Sequence, residues 1–250
     1  MGRITELFYK YNNILKKIFF IESLKKIIGL KNYEMLIHFF RYYGFYPVKY
    51  NLKTKINFGS DNANSFFEQE LKNCNFYLEY GSGTSTILAA KLNKRFYSIE
   101  GDRDFFKFIN KKVKNNKIKY KSLGITGAYG VPVMQKYKQI SDNQKKKIKN
   151  YCSGILKDLE NEKIFPDLIL VDGRFRVLTC LYLYVFLRNK NLKFKVILDD
   201  YLDRKNYHII EKFFHIERIG RFAVSEKLKE IKEEDLNSFI DNDQNYFDWL

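Results

Sequence analysis

The sequence predicts an α/β protein: a doubly wound sheet of seven strands, mostly parallel, with an antiparallel edge strand and an N-terminal helical appendage. Three observations support this prediction. From residue 75 onward, short apolar runs alternate with helix-like stretches, as in the strand–helix units of parallel sheets. Residues 215–227 show two short strand patterns around a tight turn at Gly220–Arg221, which indicates an edge hairpin. Residues 1–50 have helical spacing instead.

The predicted appendage is basic and amphipathic. Its apolar residues recur at spacings of three and four, at Ile14, Ile18, Ile21, Leu24 and Ile28. Gly29 and Gly44 are expected to end two helices. We expect these helices to cap the core or to cover an acceptor pocket. The alternative is that residues 1–50 lie on a membrane surface, as basic amphipathic helices with aromatic residues do.

The core elements follow in chain order. The predicted strands are 76–81, 95–100, 117–123, 167–172 and 194–200, followed by the hairpin. The predicted helices are 84–93, 103–115, 143–161, 175–189 and 204–214. Hydroxyl residues open the first of these helices, as N-caps do, and a loop with three glycines and a proline occupies 124–133.

The chain divides by pattern into three segments: the appendage 1–60, the core 61–226 and an acidic amphipathic tail 227–250. The length of 250 residues, with 45% apolar residues, is enough for one sizeable domain. The tail is either a docked helix or a frayed end, and the sequence leaves both alternatives open.

The net charge of +16 has two interpretations. The first is that the positive charge binds a nucleic acid or an anionic membrane. The second is that the lysines only form a solvated surface. The second is favoured because the lysines are scattered between apolar positions and no RNA-binding aromatic motif is present, so a nucleic-acid partner is not expected.

Three cysteines, Cys74, Cys152 and Cys180, have no metal-binding spacing and are expected to be reduced. No secretory signal or membrane-spanning stretch is found, and a cytoplasmic location is predicted.

Carboxylates finish four of the predicted parallel strands. Glu79 and Glu100 lie at the ends of the first two strands, Asp172 ends the fourth, and Asp199 and Asp200 end the fifth. The carboxyl ends of parallel strands share one edge of a sheet, where ligands bind in open α/β folds. A buried unpaired carboxylate is costly, so four such strand ends indicate a functional site.

A glycine turn follows the first strand. Gly81 and Gly83 permit a tight strand-to-helix turn and let a ligand approach the backbone, but Thr86 stands where a dinucleotide-binding motif has its third glycine. Glu79, two residues before the turn, suits a cationic ligand better than a pyrophosphate. S-adenosylmethionine carries an amino group and a sulfonium, and Glu100 is placed to accept hydrogen bonds from ribose hydroxyls.

The ordered motifs "LEYGSGTST", "YSIEGD", "PDLILVDGRFR" and "VILDDY" resemble class I S-adenosylmethionine-dependent methyltransferases, in particular bacterial methyltransferase-like proteins. The resemblance covers roughly residues 60–225 and implies a Rossmann-like sheet. It places the methionine part of the cofactor at the glycine turn, the ribose at Glu100 and the adenine at Gly124 and Ile125. The implied cofactor-binding residues are Glu79, Gly81, Ser82, Gly83, Thr84, Ser85, Glu100, Gly124, Ile125 and Asp172.

Asp172, Asp199 and Asp200 also resemble the carboxylates of metal-dependent O-methyltransferases of the catechol and macrocin types. Oxygen ligands of this kind suit Mg²⁺, which would relieve the repulsion among three carboxylates. The alternative is that Asp172 contacts the amino group of the cofactor while Asp199 and Asp200 cap the following helix. The requirement for a metal therefore stays open.

The predicted catalytic residues are Asp172, His208, Arg174 and Arg176. His208 follows Arg204 by four residues, on one face of a predicted helix, and is the candidate general base. The arginines either bind an anionic acceptor or pair with the aspartates. We predict S-adenosylmethionine-dependent methyl transfer to an oxygen atom of a small-molecule or glycan-precursor acceptor that is anionic or sugar-like. The alternatives are a nicotinamide-dependent oxidoreductase and a non-catalytic basic module.

Overall fold

The computed structural model describes residues 21–42, 50–53, 55–114, 117–127, 130–133, 140–188, 190 and 192–246. The chain divides into two units, Met1–Val48 and Lys49–Leu250. In the first unit, residues 21–28 are helical, and so is α1 (Leu30–Tyr42). Gly29 separates these helices with a φ of +78°, as predicted for a helix end. The predictions for residues 1–20 and 43–49 lie outside the described residues.

The second unit alternates strands and helices in the predicted order. Its strands are β1 (Phe76–Tyr80), β2 (Arg95–Glu100), β3 (Ile118–Tyr120), β4 (Leu168–Val171), β5 (Lys195–Leu198), β6 (Glu217–Ile219) and β7 (Phe222–Ser225). Its α-helices are α2 (Asp61–Asn73), α3 (Thr84–Lys91), α4 (Arg103–Val113), α5 (Asp142–Asn161), α6 (Arg176–Leu187) and α7 (Glu233–Asp241). In the part of this unit that the structure describes, 3₁₀ helices span Lys205–Lys212 and Asp243–Tyr246.

The seven strands form one sheet in the order β3-β2-β1-β4-β5-β7-β6, which confirms the predicted fold class. The first five strands of this order are parallel, and β7 runs antiparallel to both of its neighbours, β5 and β6. Of the two hairpin strands, β7 therefore pairs with the parallel part of the sheet, and β6 forms the edge. The strand order reverses between β1 and β4, which makes the carboxyl ends of these two strands the switch point of the sheet.

The core has two parts, as expected for a sheet covered on both faces. Successive residues of β1 alternate between them: Leu78 and Tyr80 pack with Tyr151 of α5, whereas Tyr77 packs with Phe67 of α2. All five residues of β1 are buried. This burial on both faces explains why the strand is apolar nearly throughout.

Side-chain caps fix where three of the helices begin. Ser60 Oγ accepts a hydrogen bond from the backbone N–H of Ala63 at 3.2 Å, and Ser141 Oγ accepts one from Gln144 at 3.2 Å. Asp102 caps α4 in the same way. Each cap satisfies an N–H group that has no partner within its own helix.

The described part of the tail is docked on the core. Leu236 of α7 is fully buried, and Arg188 at the end of α6 binds both carboxylate oxygens of Glu233 at 2.7 and 2.8 Å. Tyr184 Oη donates to the carbonyl of Lys229 at 2.8 Å. Of the two alternatives for the tail, residues 227–246 take the docked one. The three predicted segment boundaries stay a prediction.

Within the described residues, no helix has both the length and the apolar character that crossing a bilayer requires. The predicted cytoplasmic location and the alternative of membrane contact through residues 1–50 stay predictions.

Candidate functional site at the carboxyl ends of the strands

Two glycines bring the loops after β1 and β4 into backbone contact at the switch point. Gly81 has a φ of +91°, and a Cβ atom there would lie 2.6 Å from the backbone of Gly173. A Cβ at Gly173 would in turn lie 2.9 Å from the backbone nitrogen of Gly81 and would collide with Tyr151 Oη. A side chain at either position would force the loops apart.

Gly83 differs from Gly81, because it borders open space. Its φ of −174° is ordinary extended backbone, and a Cβ atom there would meet no atom of another described residue within 4 Å, apart from its chain neighbours and its own helix. Gly83 immediately precedes α3, so the space lies at the N-terminal end of that helix, above the turn. Open space at this position, which a larger side chain would enter, fits the predicted position of the methionine part of S-adenosylmethionine.

Glu79 supports the turn from within the core. Its side chain is fully buried, and its carboxylate accepts hydrogen bonds from Ser85 Oγ and from Thr86 Oγ1, the latter at 2.5 Å. Burial raises the pKa of Glu79, and the hydroxyl donors oppose the shift. Glu79 therefore holds the first turn of α3 in place, and its carboxylate is not exposed to a ligand in this conformation.

The hydroxyl residues Ser85 and Thr86 do not cap α3 as the sequence predicted, but bind the buried Glu79. The N-cap of α3 is Gly83, and Ser85 and Thr86 lie inside the helix. Thr86 Oγ1 accepts from the backbone N–H of Gly83 at 2.7 Å while donating to Glu79. The threonine at the third-glycine position thus links the buried carboxylate to the turn. The two remaining turn residues also form hydrogen bonds: Ser82 Oγ with Ser98 Oγ at 2.8 Å, and Thr84 Oγ1 with the Lys53 carbonyl at 3.4 Å.

Glu100 ends β2 beside the same turn. Its carboxylate accepts from the backbone N–H groups of Asp102 at 2.7 Å and of Ser82 at 3.2 Å. Burial raises the pKa of Glu100 to about 8, with a further contribution from the nearby Asp102 charge, and the backbone donors oppose the shift. The carboxylate that is predicted to bind the ribose therefore lies against the backbone of the cofactor turn.

The loop after β3 is attached to the end of β2. Thr126 Oγ1 donates to Asp102 Oδ2 at 2.8 Å, and Thr126 forms an isolated bridge with Pro132. Gly124 has a φ of +84°, and Ile125 accepts a backbone hydrogen bond from Val133 at 3.0 Å. The two predicted adenine-binding residues therefore lie in a loop that is anchored next to Glu100.

Three aspartates and two arginines form a second group of charges at the ends of β4 and β5, called here the arginine–aspartate cluster: Asp172, Asp199, Asp200, Arg176 and Arg221. Arg176 lies at its centre with only 4% of its side chain exposed. Its guanidinium donates to Asp172 Oδ1 at 2.8 Å and to Asp200 Oδ2 at 3.0 Å. It also donates to the carbonyls of Gly173 and Asp199, at 3.0 and 2.7 Å.

Arg221 is the residue of this cluster that the sequence did not identify. It lies in the turn between β6 and β7 and binds both oxygens of the buried Asp199, at 2.6 and 2.5 Å. It also lies 3.3 Å from Asp200 Oδ1. The signal for it was the predicted Gly220–Arg221 turn, but the pairing of β7 with β5 had to be known before that turn could be placed beside Asp199.

The backbone around the cluster includes two non-glycine residues in the left-handed region. Phe175 has a φ of +55° and Asp200 a φ of +56°. Each costs on the order of 1–3 kcal/mol and persists only where the surrounding contacts hold it. Phe175 directly precedes Arg176, and Asp200 is itself a member, so both strained residues set the position of charges in the cluster.

The three aspartates lie as close together as metal ligands, with one oxygen of each within 4.8 Å of the others. Burial, Asp199 and Asp200 raise the pKa of Asp172, and the Arg176 charge opposes the shift. The same oxygens, however, are bound by guanidinium groups, so the residues present do not fit a resident Mg²⁺. They do not cap a helix either, because the next helix is the 3₁₀ helix Lys205–Lys212, whose N-cap is Arg204.

The other predicted residues lie around the cluster. Arg204 Nη2 is 3.6 Å from Asp200 Oδ2, the longest of the ion-pair contacts described for these aspartates. The backbone N–H of Arg174 donates to Tyr151 Oη at 3.3 Å, and the Arg174 side chain passes beside Gly130 of the loop after β3. Of the two alternatives for the arginines, Arg176 therefore pairs with the aspartates, whereas the Arg174 side chain lies beside the loop after β3.

His208 is placed by a 3₁₀ helix rather than the predicted α-helix. With three residues per turn, a spacing of four no longer puts Arg204 and His208 on one face. The His208 ring stacks on Tyr201 with 4.6 Å between ring centroids, and its Nε2 atom is buried with no hydrogen-bond partner among the described residues. The role of His208 as a general base stays a prediction.

Comparison with known proteins supports the fold. No protein-family model and no curated protein sequence matches the chain. The crystal structure of a methyltransferase-like protein from Silicibacter pomeroyi DSS-3 is similar to it, with 25% sequence identity and a TM-score of 0.62, over 78% of this chain and 100% of that one. An O-methyltransferase from Bacillus cereus, in complex with SAH, shows 14% identity and a TM-score of 0.39 over 76% of this chain and 75% of its own, too distant for further argument.

Proposed function

We propose that this chain, which has the Rossmann-like methyltransferase fold, uses S-adenosylmethionine to methylate an oxygen atom of a small-molecule or glycan-precursor acceptor. The observation that carries the proposal is the open space at Gly83, bordered by a turn that Glu79 and Glu100 support. The overall likeness to a methyltransferase-like protein supports it independently.

The residues around the turn would hold the cofactor. Bound S-adenosylmethionine supplies a methyl group activated by a positively charged sulfur. The turn from Gly81 to Ser85 would border its methionine part and Asp172 its amino group. Glu100 would accept hydrogen bonds from ribose hydroxyls, and the loop residues Gly124 and Ile125 would border the adenine.

The acceptor would bind on the side of β4 and β5. Transfer to a hydroxyl oxygen requires that the hydroxyl lose its proton, and the candidate acceptors of that proton are Asp172 and His208. Arg204 lies at the border of the arginine–aspartate cluster and keeps 24% of its side chain exposed, and Arg174 passes beside Gly130 of the loop after β3. Guanidinium groups bind carboxylate and phosphate well, so we propose an anionic acceptor such as a sugar phosphate or a carboxylated sugar.

Calorimetry with S-adenosylhomocysteine, the reaction product, tests the cofactor. We expect the wild-type chain to bind it. Gly83→Val should abolish binding without loss of thermal stability, because its side chain enters open space. Gly83→Ala should bind with intermediate affinity, since a methyl group fills less of that space. Absence of binding to the wild-type chain, or stronger binding of a nicotinamide dinucleotide, would contradict the proposal.

Steady-state kinetics test the acceptor class once a screen of sugar phosphates and carboxylated sugars with labelled cofactor identifies a substrate. Losing one charge-assisted contact costs about 1.5–3 kcal/mol, so Arg174→Ala should raise KM for the acceptor roughly tenfold or more. Arg188→Ala is the matched control, because Arg188 pairs with Glu233 in the tail. An unchanged KM for both Arg174→Ala and Arg204→Ala would exclude an acceptor held by these arginines.

A further inference from the structure

We infer that the arginine–aspartate cluster takes the place of a divalent metal ion, and that Arg176 and Arg221 supply the positive charge that three adjacent carboxylates require. The statement about the reaction, that methyl transfer needs no metal, rests on the proposed function. The statement about the cluster can be tested without any activity.

The first argument is the occupancy of the carboxylate oxygens. Both oxygens of Asp199 accept from Arg221, at 2.6 and 2.5 Å. Asp200 faces Arg176 with one oxygen at 3.0 Å and Arg221 with the other at 3.3 Å. Asp172 Oδ1 accepts from Arg176 at 2.8 Å. A magnesium ion needs several of these oxygens at about 2.1 Å in a regular octahedron, so it would have to displace guanidinium groups that already bind them.

The second argument is the charge. Three neighbouring carboxylates repel one another unless a cation lies among them. Arg176, Arg221 and, at the border, Arg204 bring as many positive charges as the aspartates bring negative ones. A metal ion placed among them would gain little Coulomb energy, because the carboxylates are already neutralised and the guanidinium groups would repel it.

The third argument is that the guanidinium groups are fixed. Arg176 is buried and also donates to the carbonyls of Gly173 and Asp199. The side chain of Arg221 passes 3.4 Å from the Cβ position of Gly59, and its guanidinium lies 5.9 Å from the centre of the Phe58 ring. Arginine keeps its proton at any physiological pH. Arg176 therefore cannot vacate the carboxylates by a simple rotation, Arg221 is held at the site by both oxygens of Asp199, and neither group can leave by losing charge.

These contacts also make Arg221 a positioning residue. It joins the β6–β7 turn to the end of β5, and its carbonyl accepts from the backbone N–H of Tyr201 at 2.9 Å. Arg221 thereby holds Asp199 and Asp200 where the predicted acceptor side of the site lies. A structural role alone would predict a loss of stability for its variants, whereas replacement of a metal predicts in addition that a metal can return when the guanidinium is removed.

Titration with Mn²⁺, followed by electron paramagnetic resonance and by thermal melting, separates these outcomes. We expect no saturable Mn²⁺ binding to the wild-type chain and no change of Tm with Mn²⁺ or chelator. Arg221→Gln should lower Tm by roughly 6 °C or more, since breaking a buried ion pair costs a few kcal/mol. It should also bind Mn²⁺ and recover part of the lost Tm when Mn²⁺ is added.

Two further variants serve as controls. Arg221→Lys keeps a positive charge at the site and should not bind Mn²⁺. The double variant Arg221→Gln/Asp199→Asn removes the unpaired carboxylate together with the guanidinium, so it should be more stable than Arg221→Gln and should not bind Mn²⁺ either. If Arg221→Gln does not fold, the wild-type and Arg221→Lys titrations still test the inference. Saturable Mn²⁺ binding to either chain would contradict it, and absence of binding to both would support it.

Saturable Mn²⁺ binding to the wild-type chain that Asp172→Asn abolishes would overturn the inference. So would a folded Arg221→Gln that binds no Mn²⁺, because the guanidinium would then not be what excludes the metal. Calorimetry with S-adenosylhomocysteine in the presence of chelator is the separate check on the proposed function. Loss of cofactor binding with an unchanged Mn²⁺ result would contradict that function and leave the cluster as described.

Discussion

Two groups of carboxylates lie at the same edge of the sheet and are stabilised in different ways. At the ends of β1 and β2, Glu79 and Glu100 accept hydrogen bonds from hydroxyl and backbone N–H groups, and no ion pair joins them to a cation among the described residues. At the ends of β4 and β5, the aspartates are bound by the guanidinium groups of Arg176 and Arg221.

The difference assigns different roles to the two ends of the site. Burial raises the pKa values of Glu79 and Glu100, and the neutral donors oppose the shift without cancelling it. Glu79 is fully buried and supports the turn, whereas the negative charge of Glu100 would become favourable when a hydroxyl-bearing ligand donates to it. The cluster at β4 and β5 is already neutralised and has little to gain from another cation. Under the proposed function, the first pair of strand ends would border the cofactor, and the second would border the acceptor.

The largest expected effect is the loss of the central arginine. Arg176→Gln leaves Asp172 and Asp200 without their shared guanidinium, so we expect it to lower the free energy of unfolding by about 3–5 kcal/mol. Glu79→Gln is the matched variant in the other group and should lower it by less, about 1–2 kcal/mol, because one hydroxyl donor loses its carboxylate acceptor but no ion pair is broken. Urea denaturation measures both. Equal losses for the two variants would remove the distinction between the groups.

The next largest effect concerns the turn shared by the two groups. Gly81→Ala combines a positive φ with a Cβ 2.6 Å from Gly173, so we expect a loss of roughly 2–4 kcal/mol in thermal melting. Gly83→Ala, two residues on, should stay within about 0.5 kcal/mol of the wild type because its Cβ enters open space. A stable Gly81→Ala variant would show that the backbone contact between the loops is dispensable.

The pH dependence of cofactor binding sharpens the comparison further. Glu100 has a pKa of about 8 in the folded chain, and ribose hydroxyls favour its charged form. Below that pKa the free protein must release a proton on binding, so the affinity for S-adenosylhomocysteine should rise as pH increases, by up to about tenfold per unit below about pH 8. Glu100→Gln should show a flat profile in calorimetry. A wild-type affinity that is independent of pH would contradict this assignment.

The raised pKa of Glu100 also affects stability, which should fall with increasing pH while the affinity for S-adenosylhomocysteine rises. The folded pKa of Glu100 lies above the unfolded value of 4.5, so the folded state binds the extra proton between the two values. The contribution of Glu100 to stability therefore falls as pH rises from about 4.5 to about 8. Glu100→Gln should be more stable than the wild type near pH 8, and the difference should shrink toward pH 4.

The smallest expected effect is at Thr86. Thr86→Val keeps the shape of the side chain but removes the hydroxyl between Gly83 and Glu79, so we expect a loss of about 1–2 kcal/mol. Thr86→Ser keeps the hydroxyl and should recover most of that loss. Thermal melting of the two variants side by side makes the comparison. Equal stability of Thr86→Val and the wild type would mean that Ser85 alone satisfies the buried carboxylate.

The local features of the cofactor end could be predicted from the sequence because they depend on neighbours in the chain. Gly81, Gly83 and Glu79 lie within five residues, and their relation follows from one strand, one turn and the start of one helix. What could not be predicted there is that Ser85 and Thr86 turn inward to Glu79 instead of capping the helix. That choice depends on the burial of Glu79 beneath α3.

The acceptor end was harder to predict because its contacts join distant parts of the chain. The spacing of four between Arg204 and His208 suggested a shared helix face, but a 3₁₀ helix forms there and turns the two side chains apart. Arg176 follows Asp172 by four residues along the chain, yet it also reaches Asp200, just beyond the end of the neighbouring strand β5. Sequence spacing predicts only the first of these contacts.

The sequence by itself determined the strand order along the chain and, through it, that four strand-ending carboxylates meet at one edge, because the carboxyl ends of parallel strands point the same way. Only the tertiary structure decided which positive charges those carboxylates face. β7 inserts between β5 and β6 with Ala223 opposite Leu198, and this register puts Arg221 beside Asp199. Such a pairing joins residues 22 positions apart through a sheet register that no local pattern encodes.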